Sequence, residues 1–189
     1  MNVIFMGTPD FSVGTLEAII KAGHTVSAVV TQPDKPKGRG GAMAMSAVKE
    51  SALKHGLTVL QPVKASDPEF VEELRTYKPD VIVVVAFGQL LPESIIDMPE
   101  YGCINVHASL LPKYRGAAPI QWAVIDGCEY SGVTTMQMNE GLDTGDILLT
   151  KKVKLAPKET GGSLFDKLAE EGAALLISTI PSIVDGTAV

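Results

Sequence analysis

An open, mostly parallel α/β sheet with helices on both faces is the fold class that this sequence predicts. Three observations predict it. Short apolar runs alternate along the chain with segments whose apolar residues recur at helical spacing, the pattern of strand–helix–strand units. The run Val81 to Ala86 is apolar throughout and mostly β-branched, which suits a central parallel strand covered on both faces. The 189 residues are 46% apolar and 20% charged, the balance of a globular protein, and a domain of this size buries about 70% of its unfolded surface without any disulfide or metal staple. Together these features give a Rossmann-like twisted sheet. Such sheets place their sites beyond the carboxyl ends of strands, where the strand order switches.

The elements follow in order. Val3 to Met6 is a buried strand ending at Gly7, where a tight turn is expected. Val13, Leu16, Ile19 and Ile20 form a helix that stops at Gly23. Val26 to Val30 is the second strand. Residues 32 to 43 hold Pro33, Pro36, Gly38, Gly40 and Gly41 and read as a mobile loop. A helix over 46 to 55, closed by Gly56, leads to a strand at Thr58 to Leu60. Phe70, Val71 and Leu74 mark another helix before the central strand. Cys103 to Val106 reads as a strand, 117 to 126 as a helix and Gly132 to Met138 as extended. A long last helix carries Leu164, Leu168 and Leu175 and is broken near Pro181.

Several function classes are excluded or disfavoured. The longest strongly apolar run, Val81 to Phe87, is far short of the roughly 20 residues a membrane helix needs. The stretch MNVIFMGTPD lacks a basic region and a cleavage site, so it reads as a strand and not as a signal peptide, and a cytoplasmic location is the default expectation. Cys103 and Cys128 form no framework, and His24, His55 and His107 show no helical ligand spacing; no metal is expected. Sixteen basic residues against twenty-two acidic ones leave a net charge of −6. Residues 31 to 64 run against that balance, with Lys35, Lys37, Arg39, Lys49, Lys54 and Lys64 against Asp34 and Glu50. Charge alone favours a solvated face there, although a polyanion contact is compatible with it.

The first strand ends in GTPDF, without the glycine spacing of a dinucleotide fingerprint or a P-loop, so no NAD is expected. FGQLLPES follows the central strand; from spacing alone it is a plain strand-to-helix connection. Asn105 and His107 are more informative. Residues two apart in a strand share a face, and an amide beside an imidazole offers two donors to one developing oxyanion. SLLPKYRGAAP then reads as a rigid loop with an exposed base, Arg115. In NEGLDTGD two glycines flank Asp143 and the calcium-loop spacing is missing. Spacing leaves Asp143 either a solvated loop acid or a partner that orients His107.

Asn105-x-His107, Ser109-Leu-Leu-Pro112 and Asp143-x-Gly145 together resemble the folate-dependent formyltransferase superfamily, whose members share an Asn, a His and an Asp in the active site. The resemblance runs through GTPDF at 7–11, TQPDKPKGRG at 31–40, VVVAFGQLLP at 83–92, GCINVHASLLPKYRGAAPIQ at 102–121 and GVTTMQMNEGLDTGD at 132–146. Within it, the chain is most similar to the methionyl-tRNA branch. Glycinamide ribonucleotide formyltransferases share Asn-x-His and Ser-Leu-Leu-Pro but lack RGAAPIQ, and sugar-amine enzymes usually carry a different Asp loop.

The resemblance implies a transferase that moves a formyl group from 10-formyltetrahydrofolate to the α-amino group of methionyl initiator tRNA, with no obligate protein partner. It implies Asn105, His107 and Asp143 as the catalytic set. It implies folate contacts at Phe87, Gly88, Gln89, Leu90, Leu91, Pro92, Ser109, Leu110, Leu111, Pro112 and Gly141. Lys35, Lys37, Arg39 and Arg115 are the implied tRNA contacts, in a loop where Gly41, Ala42, Met45 and Ala47 replace the basic and proline residues usual in the family. Asn139 stands where the family usually has Asp. Residues 1–189 are expected to be a catalytic domain alone, without the family's C-terminal OB-like domain. An amino-sugar nucleotide acceptor and a non-catalytic Rossmann-like binding module are the alternative readings.

Overall fold

A computed structural model describes residues 1–188. Its main sheet has seven strands. These are β1 (Asn2–Gly7), β2 (Thr25–Val30), β5 (Val59–Leu60), β6 (Val81–Val85), β7 (Cys103–His107), β8 (Tyr130–Gln137) and β9 (Ile147–Lys154). Their spatial order is β5-β2-β1-β6-β7-β8-β9. The first five run parallel, and β8 and β9 are antiparallel to their neighbours. The chain winds outward from β1 through β2 to β5, then returns to the other side of β1 with β6. The switch in strand order therefore lies between β1 and β6, and the crevice opens there.

Strand alternation splits the core in two. Val3, Phe5, Val81, Val83 and Val85 point to one face, where α1 (Asp10–Lys21), α2 (Ala47–Lys54), α5 (Pro119–Ile125) and α6 (Gly161–Val184) pack. Ile4, Met6, Ile82 and Val84 point to the other, against α3 (Pro68–Thr76) and the short α4 (Glu93–Ile96). All five residues of β6 are buried, each contributing roughly 1.5–3 kcal/mol by burial. Capping fixes the helix starts: Ser46 accepts from the Lys49 amide, and Thr160 with Ser163 forms a reciprocal box at α6.

Three expectations need correction, and one strand was not expected. Residues 32–43 are not all loop, since β3 (Lys35–Lys37) pairs antiparallel with β4 (Ala42–Ala44) around the glycines. Strand β9 was not legible in the sequence: it is an edge strand with three lysines and mostly exposed residues, so it carries little apolar signal. Helix α6 runs through Pro181 to Val184. A proline costs about 3 kcal/mol in a helix interior, but Pro181 lies on the exposed side while Leu176, Ile180 and Ile183 keep packing. Gly7 is no turn residue either. It ends β1 with an ordinary φ, and a Cβ there would meet Ser12, Phe5 and the Val85 carbonyl at 2.8–2.9 Å, so close packing requires the glycine.

Candidate active site

The crevice at the carboxyl ends of β1, β6 and β7 has a volume of about 750 Å³. Pro9 and Phe11 border it after β1, Ala86, Gly88, Gln89 and Leu90 after β6, Asn105 and His107 on β7, and Ala108 just after it. Gly116 to Gln121, Leu142, Asp143 and Phe165 complete it. Leu90 and Leu142 are 82% and 60% exposed, which places them at the rim.

Asn105, His107 and Asp143 meet in this crevice. The Asn105 amide donates to Asp143 Oδ1 at 3.3 Å, and His107 Nδ1 stands 3.6 Å from Asp143 Oδ2. The His107 ring is buried, and its Nε2 lies 2.8 Å from the Tyr114 carbonyl. A carbonyl only accepts, so Nε2 carries a hydrogen and Nδ1 is the ring atom that faces Asp143. Asp143 also accepts from the Gly116 amide at 2.7 Å, and its own carbonyl accepts from Arg115 Nε at 3.0 Å. The end of its loop is pressed on β8, for a Cβ at Gly145 would run into the Gln137 carbonyl.

Backbone strain gathers here. Among the described residues five non-glycine residues have positive φ, of which Ala86, Ala118 and Asp143 line the crevice while Tyr114 supports His107. Left-handed alanine and tyrosine are uncommon and persist only where the surroundings over-determine them. The Asp126 carboxylate, accepting the Tyr114 phenol proton at 2.6 Å, pushes the Tyr114 pKa upward.

The expected folate contacts divide. Gly88, with φ of +94°, Gln89 and Leu90 border the crevice. The Gln89 amide is already engaged, however: it accepts from the Ala65 amide and donates to the Pro62 carbonyl and to Gln32. It is a strut between loops. Phe87 is core, Leu91 packs half-buried against the same core, and Pro92 caps α4.

Ser109 to Pro112 do not line the 750 Å³ crevice. Ser109 is fully buried and donates to the Lys113 carbonyl, Leu111 enters the core, and Thr134 on β8 bonds to both the Ser109 carbonyl and the Leu111 amide. Those ties carry the loop away, so that Leu110 and Pro112 line a separate cavity of about 460 Å³ with Tyr114, Cys128, Tyr130 and Lys152. Gly141 likewise lines a different depression, beside Glu93 and Asp97. Lys35, Lys37 and Arg39 are exposed on the β3–β4 hairpin and do not line the crevice, whereas Arg115 donates to the carbonyl of Asp143, which does. The sequence reading missed Phe165, which meets Phe11 edge-on at 5.3 Å from the far end of the chain. No local pattern marks it.

Among the described residues no three His, Cys, Asp or Glu side chains gather closely enough to hold a metal ion. Among the described residues no helix is long and apolar enough to cross a membrane.

The formyl transferase family model matches residues 1–180. The chain is 73% identical over 187 residues to a methionyl-tRNA formyltransferase of Lachnospira eligens, covering 99% of this chain and 59% of that protein. It is 68% identical to the methionyl-tRNA formyltransferase of Agathobacter rectalis, covering 100% of this chain and 61% of that protein. It thus spans about three-fifths of the length of these curated relatives. Among solved structures, a phosphoribosylglycinamide formyltransferase from Anaplasma phagocytophilum superimposes with a TM-score of 0.83 at 21% identity, covering 98% of this chain and 88% of that one. At that identity the likeness concerns the fold.

Proposed function

The chain belongs to the formyl transferase family, and on that premise we propose that it transfers a formyl group from 10-formyltetrahydrofolate to the α-amino group of methionyl initiator tRNA. One observation carries the reading: an amide, an imidazole and a carboxylate from two distant segments converge on a single crevice. The identity to methionyl-tRNA formyltransferases supports the choice of acceptor.

The crevice suits the donor in size, since small-molecule sites run from about 300 to 1,000 Å³. Gly88 borders the crevice after β6, and its missing Cβ makes room for the Gln32 amide, which a side chain there would meet at 2.9 Å. Leu90 and Leu142 offer apolar lips.

The acceptor's neutral amine attacks the formyl carbon, the carbon–nitrogen bond to the folate breaks, and one proton passes from the amine to the departing nitrogen. Asn105 has a second amide hydrogen beyond the one given to Asp143, and His107 presents Nδ1. Both stabilise the charge that develops on the formyl oxygen, and losing one such donor costs about 2.7–4 kcal/mol of barrier. Asp143 holds the protonated ring by its charge and takes part in the proton transfer. Lys35, Lys37 and Arg39 on the exposed hairpin, with Arg115 at the crevice edge, contact tRNA phosphates.

The test is formyl transfer by Asn105→Ala, His107→Ala and Asp143→Ala, with circular dichroism to check the fold. Each is expected to lose at least about a hundredfold in turnover. A near-normal rate in any one removes that residue from the mechanism. An amino-sugar nucleotide, offered in parallel with methionyl-tRNA, is expected to stay unformylated; its formylation in preference to the tRNA overturns the assigned acceptor.

A further inference from the structure

We propose that Tyr114 is a positioning residue for His107, held in place by a latch between its phenol and Asp126 at the end of α5. The proposal rests on the formyl-transfer reading of the crevice.

Residues 114 to 116 brace both halves of the charged pair. The Tyr114 carbonyl accepts from His107 Nε2 at 2.8 Å, Arg115 Nε donates to the Asp143 carbonyl, and the Gly116 amide donates to Asp143 Oδ2. The orientation of this tripeptide therefore sets both the rotation of the imidazole and the place of the carboxylate. The tripeptide is itself on a loop, and Tyr114 is left-handed with φ of +55°. Such a residue needs an anchor to hold that conformation. The anchor is the side chain: its phenol donates to Asp126 Oδ2 at 2.6 Å and lies 3.2 Å from Cys128 Sγ. Asp126 is the C-cap of α5, whose first residues Pro119 to Gln121 line the crevice. The latch thus joins the far end of a crevice helix to the backbone oxygen that holds His107. A phenol keeps its proton at neutral pH, so the hydroxyl is the donor to the Asp126 carboxylate.

Nuclear magnetic resonance of the ¹⁵N-labelled chain reads this directly, because there are only three histidines and a His107→Gln spectrum assigns the third. Tyr114→Phe and Asp126→Ala are each expected to shift the His107 ring nitrogens and speed exchange of the Nε2 hydrogen, leaving His24 and His55 unmoved. In formyl transfer each lowers kcat about five- to twentyfold with KM for the formyl donor unchanged, as for a lost charge-assisted hydrogen bond. The double variant is no slower than the slower single, since both break one interaction. Asp126→Asn, which keeps an acceptor, recovers most of the rate. His107 signals unmoved in both single variants overturn the latch, whatever the activity. Absence of formyl transfer in the unmodified chain, with the signals shifting as described, overturns the formyl-transfer reading and leaves the latch standing.

Discussion

His107 Nδ1 and Asp143 Oδ2 stand 3.6 Å apart, too far for a hydrogen bond and close enough for a strong charge interaction. Both side chains are about nine-tenths buried, and Asp143 is steadied by Asn105 and Gly116 rather than by the ring. In the proposed mechanism the carboxylate acts on His107 through its charge. Asp143→Asn preserves size and an acceptor oxygen for Gly116 but removes the charge. Its turnover is expected to fall about a hundredfold or more, close to the Asp143→Ala value, with the melting temperature within a few degrees. Steady-state kinetics beside a thermal melt checks this; a rate near that of the unmodified chain would show that the charge is dispensable.

Gln89 is expected to matter for loop order more than for direct contact. Its amide serves the Ala65 amide, the Pro62 carbonyl and Gln32 together. Gln89→Ala leaves those partners unpaired, at about 1–3 kcal/mol of stability, and loosens the edge that Gly88 and Leu90 present. Urea unfolding measures the first effect and folate-analogue titration the second, with a weaker Kd expected.

The basic hairpin is expected to govern tRNA affinity and its salt dependence. Lys35→Glu, Lys37→Glu and Arg39→Glu combined should weaken methionyl-tRNA binding and flatten the slope of log K against log salt by about two to three. Filter binding from low to high salt tests it. An unchanged slope means that the hairpin does not meet phosphate.

Glu159 gives a stability prediction with a defined pH window. Its carboxylate accepts from Lys167 at 2.6 Å, from Ser163 at 2.6 Å and from the Ala156 amide at 2.7 Å. The Lys167 bond, followed by those to Ser163 and Ala156, holds its pKa down from 4.5 to about 2. A carboxylate depressed on folding stabilises fully above its unfolded pKa and loses that contribution as pH falls through the folded one. Glu159→Gln should therefore melt earlier than the unmodified chain at pH 7, with the gap narrowing from about pH 4.5 down towards 2. A gap that is constant across that range would mean that the charge contributes nothing.

The parallel core was legible because burial on both faces leaves a continuous apolar run, as at Val81–Val85, and because helix periodicity survives in α1 and α6. The β9 edge and the β3–β4 hairpin were not legible, since exposed strands rich in lysine or proline lack the apolar pattern on which such reading depends. Within the site, Asn105 and His107 could be paired from their spacing in one strand. Asp143 could be singled out from its glycine-flanked loop but not decided between a solvated acid and a partner of His107, because that pairing needed a fold that brings two loops to one sheet end. The Ser109–Pro112 motif is contiguous in the chain, yet its ties were not legible: Thr134 on β8 donates to the Ser109 carbonyl and accepts from the Leu111 amide.

By itself, then, the sequence determined the layered α/β architecture, the apolar strands, the family resemblance and the types of chemical group available. Those depend on local patterning, which neighbouring residues carry. Only the tertiary structure decided which groups face one another. Phe165 reaches the crevice, Leu110 leaves it, Gln89 becomes a strut, and Tyr114 lends a carbonyl to His107. The physical reason is that contact across a sheet end is set by strand order and by hydrogen bonds between segments far apart in the chain, and no run of adjacent residues encodes either one.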